Sequence, residues 1–96
     1  MREAISTSQA PSAIGPYSQG IATEGLVFVS GQLPVDPATG AMPEDIKAQA
    51  AQSLANVTAV LEAGGSSMDK VVKTTIFLSD INDFAAVNEV YATCFP

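Results

Sequence analysis

Between residues 44 and 63 the apolar positions Ile46, Ala50, Leu54, Val57 and Leu61 recur in steps of four, four, three and four. That rhythm places them on one face of a helix. Pro43 suits the first turn, Glu44 and Asp45 favour the positive end of the helix dipole, and Gly64-Gly65 ends the element. A second helix over residues 84–94 carries Phe84, Val87, Tyr91 and Cys94 or Phe95 at the same spacing. The other apolar runs are short and read as strands. Residues 4–7 are one candidate; residues 17–22 and 26–30 are a pair joined through Thr23-Glu24-Gly25, a glycine-containing hairpin turn. Leu26-Val27-Phe28-Val29 is apolar on both faces, which predicts burial on both sides. Residues 71–78 are the fourth candidate, with five of eight side chains β-branched.

The connections carry their own signals. Pro11 and Gly15-Pro16 bar helix from residues 9–15, and Asp36-Pro37-Ala38-Thr39-Gly40 is a turn in which Asp accepts from the backbone and Gly supplies a positive φ. Residues 66–70 read as a capped turn, and Asp80 and Asp83 as caps before the second helix. The order is β-β-β-α-β-α, an α+β chain. A strand, a long helix and a strand between residues 26 and 78 suit a right-handed crossover with parallel pairing. The expected architecture is a mixed sheet with two helices on one face. The last helix leads to no further strand, so the sheet reads as incomplete.

Composition narrows the function classes. A length of 96 residues predicts one domain, spanning 1–96. Charged residues make up only 15%, so much of the surface is expected to be covered by other subunits. Four Lys and Arg stand against ten Asp and Glu, a net charge of −6, and the cations Arg2, Lys47, Lys70 and Lys73 form no basic stripe. Nucleic acid and anionic membranes are therefore not expected partners. With no His and a single Cys, zinc lacks ligands and the His-dependent nucleophile systems are excluded. Cys94 alone fits a reducing compartment, and neither a membrane span nor a signal peptide is apparent, so a cytoplasmic location is expected.

The densest polar cluster in apolar surroundings is Tyr17-Ser18-Gln19 with Ser30-Gly31-Gln32. If the hairpin pairs as predicted, Tyr17 and Ser30 meet at one end of the sheet. Two hydroxyls and an exposed glycine N–H suit a small ligand with an oxygen or imine nitrogen; equally, Ser30-Gly31 ends a strand and Tyr17 packs. Asn88 flanks the apolar face of the second helix and either enters a pocket or faces water. Cys94 lies near a helix end without a cationic neighbour and reads as structural.

Several segments resemble a known family. Ala13-Ile14-Gly15-Pro16-Tyr17-Ser18-Gln19-Gly20, Val29-Ser30-Gly31-Gln32-Leu33-Pro34 and Asp36-Pro37-Ala38-Thr39-Gly40 are similar to motifs of the reactive-intermediate deaminase (RidA/YjgF) family. So are Gln52-Ser53-Leu54-Ala55-Asn56-Val57, Val72-Lys73-Thr74-Thr75-Ile76-Phe77-Leu78 and Asp83-Phe84-Ala85-Ala86-Val87-Asn88-Glu89-Val90-Tyr91, in the same order along the chain. The resemblance implies a chorismate-mutase-like homotrimer with the ligand cleft between subunits. It implies hydrolysis of 2-imino or enamine acids, such as 2-iminobutanoate and 2-iminopropanoate, to 2-oxo acids and ammonia, with no cofactor. Tyr17, Ser30 with the Gly31 backbone, and Asn88 fall on positions that line the family's cleft.

The chain also departs from the family pattern. There a further strand pair follows the Cys94-Phe95-Pro96 region, bringing an Arg that clamps the substrate carboxylate and a Glu that positions water. Neither has a counterpart here, so no catalytic residue is assigned and the 96 residues alone are expected to be impaired. A guanidinium is the natural bidentate partner of a carboxylate, and water without a positioned acid or base reacts slowly. The alternative expectation is a noncatalytic module that binds a 2-oxo acid. The family's ribonuclease label is opposed by the charge of −6.

Overall fold

The computed structural model describes residues 2–95. Its elements are the strands β1 (Arg2–Ile5), β2 (Gly20–Thr23) and β3 (Leu26–Val29) and the helices α1 (Ile46–Ala63) and α2 (Phe84–Cys94). Short 3-10 turns occupy Met68–Lys70 and Ile81–Asp83. The three strands form an antiparallel sheet in the order β1-β2-β3. Thr23 pairs with Leu26, leaving a two-residue turn in which Glu24 and Gly25 have φ of 50° and 79°. Two positive φ values define the type I′ geometry that matches strand twist.

The hairpin prediction holds, with trimmed ends. β1 lies two residues earlier than the run 4–7, because Arg2 pairs with Thr23 and Ile5 with Gly20, after which the chain turns away. β2 begins at Gly20 rather than Tyr17, because the Tyr17 N–H is bent back onto the Gly15 carbonyl at 2.9 Å. The expected burial of both faces of β3 is corrected: Val27 and Val29 pack on the inner cluster of Ile5, Ala10 and Val60, while Leu26 and Phe28 stay 55% and 59% exposed. Successive side chains point to opposite faces, and α1 covers only one of them.

The fourth strand, and with it the mixed sheet, is also corrected. Residues 71–78 carry no ladder among the described residues, and Val72 and Phe77 are 94% and 92% exposed. β-branched residues favour extended backbone, but a strand needs a neighbour's N–H and C=O groups. This segment instead meets α2, where the hydroxyls of Thr74 and Tyr91 lie 2.8 Å apart.

α1 starts at Ile46, two residues later than predicted, because Asp45 is itself the cap and accepts from the Ala48 N–H at 3.0 Å. At the other end Ser66 N–H donates to Leu61 C=O at 2.8 Å and Gly65 adopts φ 85°, a Schellman-type stop. Of the predicted stripe, Leu61 is buried as expected, whereas Ile46, Ala50, Leu54 and Val57 are only half-buried. The fully buried positions are Asn56 and Val60, rotated toward the sheet. α1 packs between two partners, the sheet and α2, and Lys47 bridges to Glu89 of α2 at 3.0 Å. The Asp36 turn forms as expected, with Ala38 N–H donating to Oδ1 at 2.8 Å. Of the two expected caps, Asp80 accepts from Asn82 N–H at 2.9 Å, whereas Asp83 makes no side-chain cap bond.

Gly20 is where helix and sheet come closest. A Cβ there would stand 2.8 Å from Val60 Cγ1 and 3.0 Å from the Phe28 carbonyl oxygen. Gly20→Ala is expected to cost about 1–3 kcal/mol of stability through overpacking, read as a lower midpoint in urea denaturation; an unchanged midpoint would contradict this packing.

Candidate functional site at the open end of the hairpin

The end of the hairpin opposite its turn collects the polar cluster noted in the sequence. One step beyond the Gly20–Val29 pair, Ser30 N–H donates to the Gln19 carbonyl at 3.0 Å. Ser30 Oγ donates to the Ser18 carbonyl at 2.6 Å. The hydroxyl's proton is thus committed, and its oxygen keeps the capacity to accept. Gly31 is exposed, and a Cβ at this position would meet nothing within 4 Å. A ligand can therefore approach the peptide backbone closely. Gln32 folds back, its Nε2 donating to the Ser30 carbonyl at 3.2 Å.

Tyr17 sits in a turn, not a strand. Gly15, at φ 116°, takes the backbone through a conformation that side chains disfavour and lets Tyr17 N–H reach back to its carbonyl. The Tyr17 ring is half-exposed, and its neighbour Ser18 is tied to Ser30. Sequence and structure thus bring Tyr17, Ser30 and Gly31 to one end of the sheet.

Asn88 lies elsewhere. It lines a groove of about 500 Å³ between α2 and the extended 71–78 segment, together with Thr74, Ile76, Leu78, Phe84 and Tyr91. None of Tyr17, Ser30 and Gly31 lines that groove. Among the described residues no group of three or more His, Cys, Asp or Glu could hold a metal ion. No helix of the described residues is long and apolar enough to cross a membrane.

The only buried polar side chains among those described are Gln19, a member of the polar cluster noted in the sequence, and Asn56, which pattern alone passed over. Gln19 adjoins Tyr17-Ser18, and Asn56 interrupts the apolar side of α1. Their signal in the sequence was a polar residue placed where an apolar one would pack.

The comparisons with known proteins bear on this geometry. Residues 7–96 match the family described as Endoribonuclease L-PSP. The chain belongs to this family, the RidA/YjgF family. A Salmonella typhimurium relative named 2-iminobutanoate/2-iminopropanoate deaminase is 54% identical over 99% of this chain and 74% of its own length. The Escherichia coli protein of the same name is 50% identical over the same shares. Among solved structures, Escherichia coli TdcF with bound serine superposes with a TM-score of 0.94 at 49% identity, covering 97% of this chain and 73% of that one. Yeast Mmf1 superposes with a TM-score of 0.95 at 38% identity, covering 99% and 76%. The RidA/YjgF fold is therefore present in these residues, including the short three-stranded sheet and the two helices.

Ser30→Ala removes the tie to Ser18 and is expected to cost about 1 kcal/mol. It should also speed amide exchange at Ser30, whose N–H donates to the Gln19 carbonyl, relative to α1, measured by hydrogen-exchange NMR. Unchanged exchange there would show that the tie does not hold this end of the hairpin.

Proposed function

We propose that the protein hydrolyses reactive 2-imino acids, 2-iminobutanoate and 2-iminopropanoate, to the corresponding 2-oxo acids. Water adds to the C=N carbon, the nitrogen takes up a proton, and the tetrahedral intermediate collapses to a C=O bond with ammonia as leaving group. The observation that carries this reading is the near-complete match of the chain to relatives named for that activity, at 54% and 50% identity. The geometry supports it: the exposed Gly31 peptide and the accepting oxygen of Ser30 suit a small ligand bearing a C=N or C=O group. Tyr17 adds a hydroxyl, and Asn88 joins the site in the assembled protein. The bound serine of Escherichia coli TdcF, a small amino acid, is a ligand of the same size class.

The proposed working form is a cytoplasmic homotrimer that uses no metal or organic cofactor. Two features favour subunit contacts. Leu26 and Phe28 form an apolar outer face on β3, and Tyr17 and Asn88 are not brought together within one chain. The charge of −6 favours a small molecule over RNA as the substrate, since RNA binding draws on cations that this chain lacks.

A second reading, a noncatalytic module binding a 2-oxo acid, is favoured by one observation. Arg2, the chain's one arginine, pairs with Thr23 beside the hairpin turn, at the far end of the sheet from Ser30. No guanidinium of these residues therefore stands at the candidate site.

Turnover separates the two readings. A pyridoxal-phosphate-dependent dehydratase acting on threonine supplies 2-iminobutanoate in situ, and ammonia release is followed with and without the chain. Release above the uncatalysed rate, though below that of a relative such as the Salmonella protein, is expected; Asn88→Ala should lower kcat/KM by about tenfold. Calorimetric binding of 2-oxobutanoate with no acceleration would establish the binding-module reading instead.

A further inference from the structure

The two buried amides have a common arrangement. Gln19 is 4% exposed. Its Nε2 donates to the carbonyls of Thr7 at 3.1 Å, Ala10 at 3.2 Å and Pro11 at 2.7 Å, and its Oε1 accepts from Thr7 N–H at 2.7 Å. Two hydrogens serve three acceptors, so one bond is shared. A single side chain thus fastens four backbone groups of the 7–11 loop to the start of β2. The main chain of Gln19 meanwhile accepts from Ser30. The segment carrying Tyr17 and Ser18 ends in this doubly anchored residue.

Asn56 does the same on the other side. It is 1% exposed on the buried side of α1. Its Nδ2 donates to the carbonyls of Leu33 at 3.0 Å and Val35 at 2.9 Å, and its Oδ1 accepts from Gln52 Nε2 at 2.9 Å. Gly31 and Gln32 therefore run between two fixed points, Ser30 at the end of β3 and the Asn56-held loop. No buried side-chain polar atom among the described residues lacks a partner, so both amides are fully used. Burying an amide is costly unless it is bonded, and a leucine in either place would leave these loop carbonyls without their partner. Both amides spend their donors on the loops that flank the candidate site.

We propose that Gln19 and Asn56 are positioning residues for the ligand site. Gln19 fixes the segment bearing Tyr17 and Ser18, and Asn56 fixes the segment bearing Gly31 and Gln32. The proposal rests on the ligand reading given above for its functional half, while the anchoring half stands on the geometry. Neither residue touches the ligand; each acts through backbone that it holds.

Gln19→Glu and Asn56→Asp keep the shape and turn an N–H donor into an oxygen facing two or three carbonyls. Gln49→Glu is the control, because Gln49 Nε2 donates to the Pro43 carbonyl at 2.8 Å, a bond of the same kind away from the site. Affinity for 2-oxobutanoate is measured by calorimetry, and amide exchange at Tyr17 and Val35 by NMR, on chains that retain their helical far-UV signal. The expected result for each anchor variant is a loss of affinity of about tenfold or more. In addition, Gln19→Glu should speed exchange at Tyr17 by about tenfold, and Asn56→Asp should do so at Val35, whose N–H donates to the Leu33 carbonyl at 2.8 Å in the loop that Asn56 holds. The control should stay within about twofold on both measures. If Gln19→Glu does not fold, Gln19→Met, uncharged and of similar length, replaces it.

Folded anchor variants that bind and exchange like the parent overturn the proposal, as does a control that loses as much. If the parent itself neither binds 2-oxobutanoate nor releases ammonia, the ligand reading falls. In that case accelerated exchange at Tyr17 and Val35 still supports the anchoring, and unchanged exchange overturns it.

Discussion

The close approach of α1 to the hairpin at Gly20 is the constraint on which the rest of the structure depends. Val60 reaches the sheet only because Gly20 has no side chain, and the same contact brings in Ile5 at 3.3 Å from a Cβ that is not there. Ile5, Ala10 and Val60 form the inner cluster, with Val27 and Val29 packed against it. That apposition sets the height of Asn56, one turn earlier on the same helical face, and so the place where Asn56 meets the 33–35 loop. The residue before Gly20 is Gln19, which turns its amide inward from the same close contact. A small core thus carries two polar clamps directly beside it, one on each side of Ser30.

The outer surfaces have a different character. The face of β3 that carries Leu26 and Phe28 and the groove beside α2 are apolar and open. Exposed apolar patches of this kind are features of interaction surfaces, and they favour the subunit contacts proposed above. On a single chain Tyr17 and Asn88 lie in different places, and only the proposed trimer would join them in one site. The chain spans 74% of the length of the Salmonella and Escherichia coli deaminases, and its match to them is continuous.

Local signals in the sequence were reliable where a residue acts through its own backbone. Glu24-Gly25, Asp36 with Gly40, and Gly64-Gly65 all formed the turns that their chemistry requires, because turn geometry is fixed within four or five residues. Helix phase was legible only in part. The spacing of Ile46, Ala50, Leu54 and Val57 marked an apolar side, but α1 touches two partners, and periodicity does not say which side meets which. The run 71–78 failed as a strand for a related reason: its β-branched residues report backbone preference, while pairing depends on a neighbour elsewhere in the sequence. At the open end of the hairpin, the position of Ser30 and Gly31 was legible through strand pairing, while Tyr17 lies in the turn before β2. The anchoring bonds of Gln19 and Asn56 were not legible, since they reach carbonyls 8 to 12 and 21 to 23 residues away.

The central claim is that a small 2-oxo or 2-imino acid binds at the open end of the hairpin, against the Ser30-Gly31 backbone. An NMR titration of the isotopically labelled chain with 2-oxobutanoate tests it most directly, because each backbone amide reports separately. The account predicts saturable shifts concentrated at Tyr17, Ser30 and Gly31, with the amides of Glu24 and Gly25 at the hairpin turn unmoved. Shifts centred on the turn end of the sheet, with Ser30 and Gly31 unmoved at saturation, would contradict it.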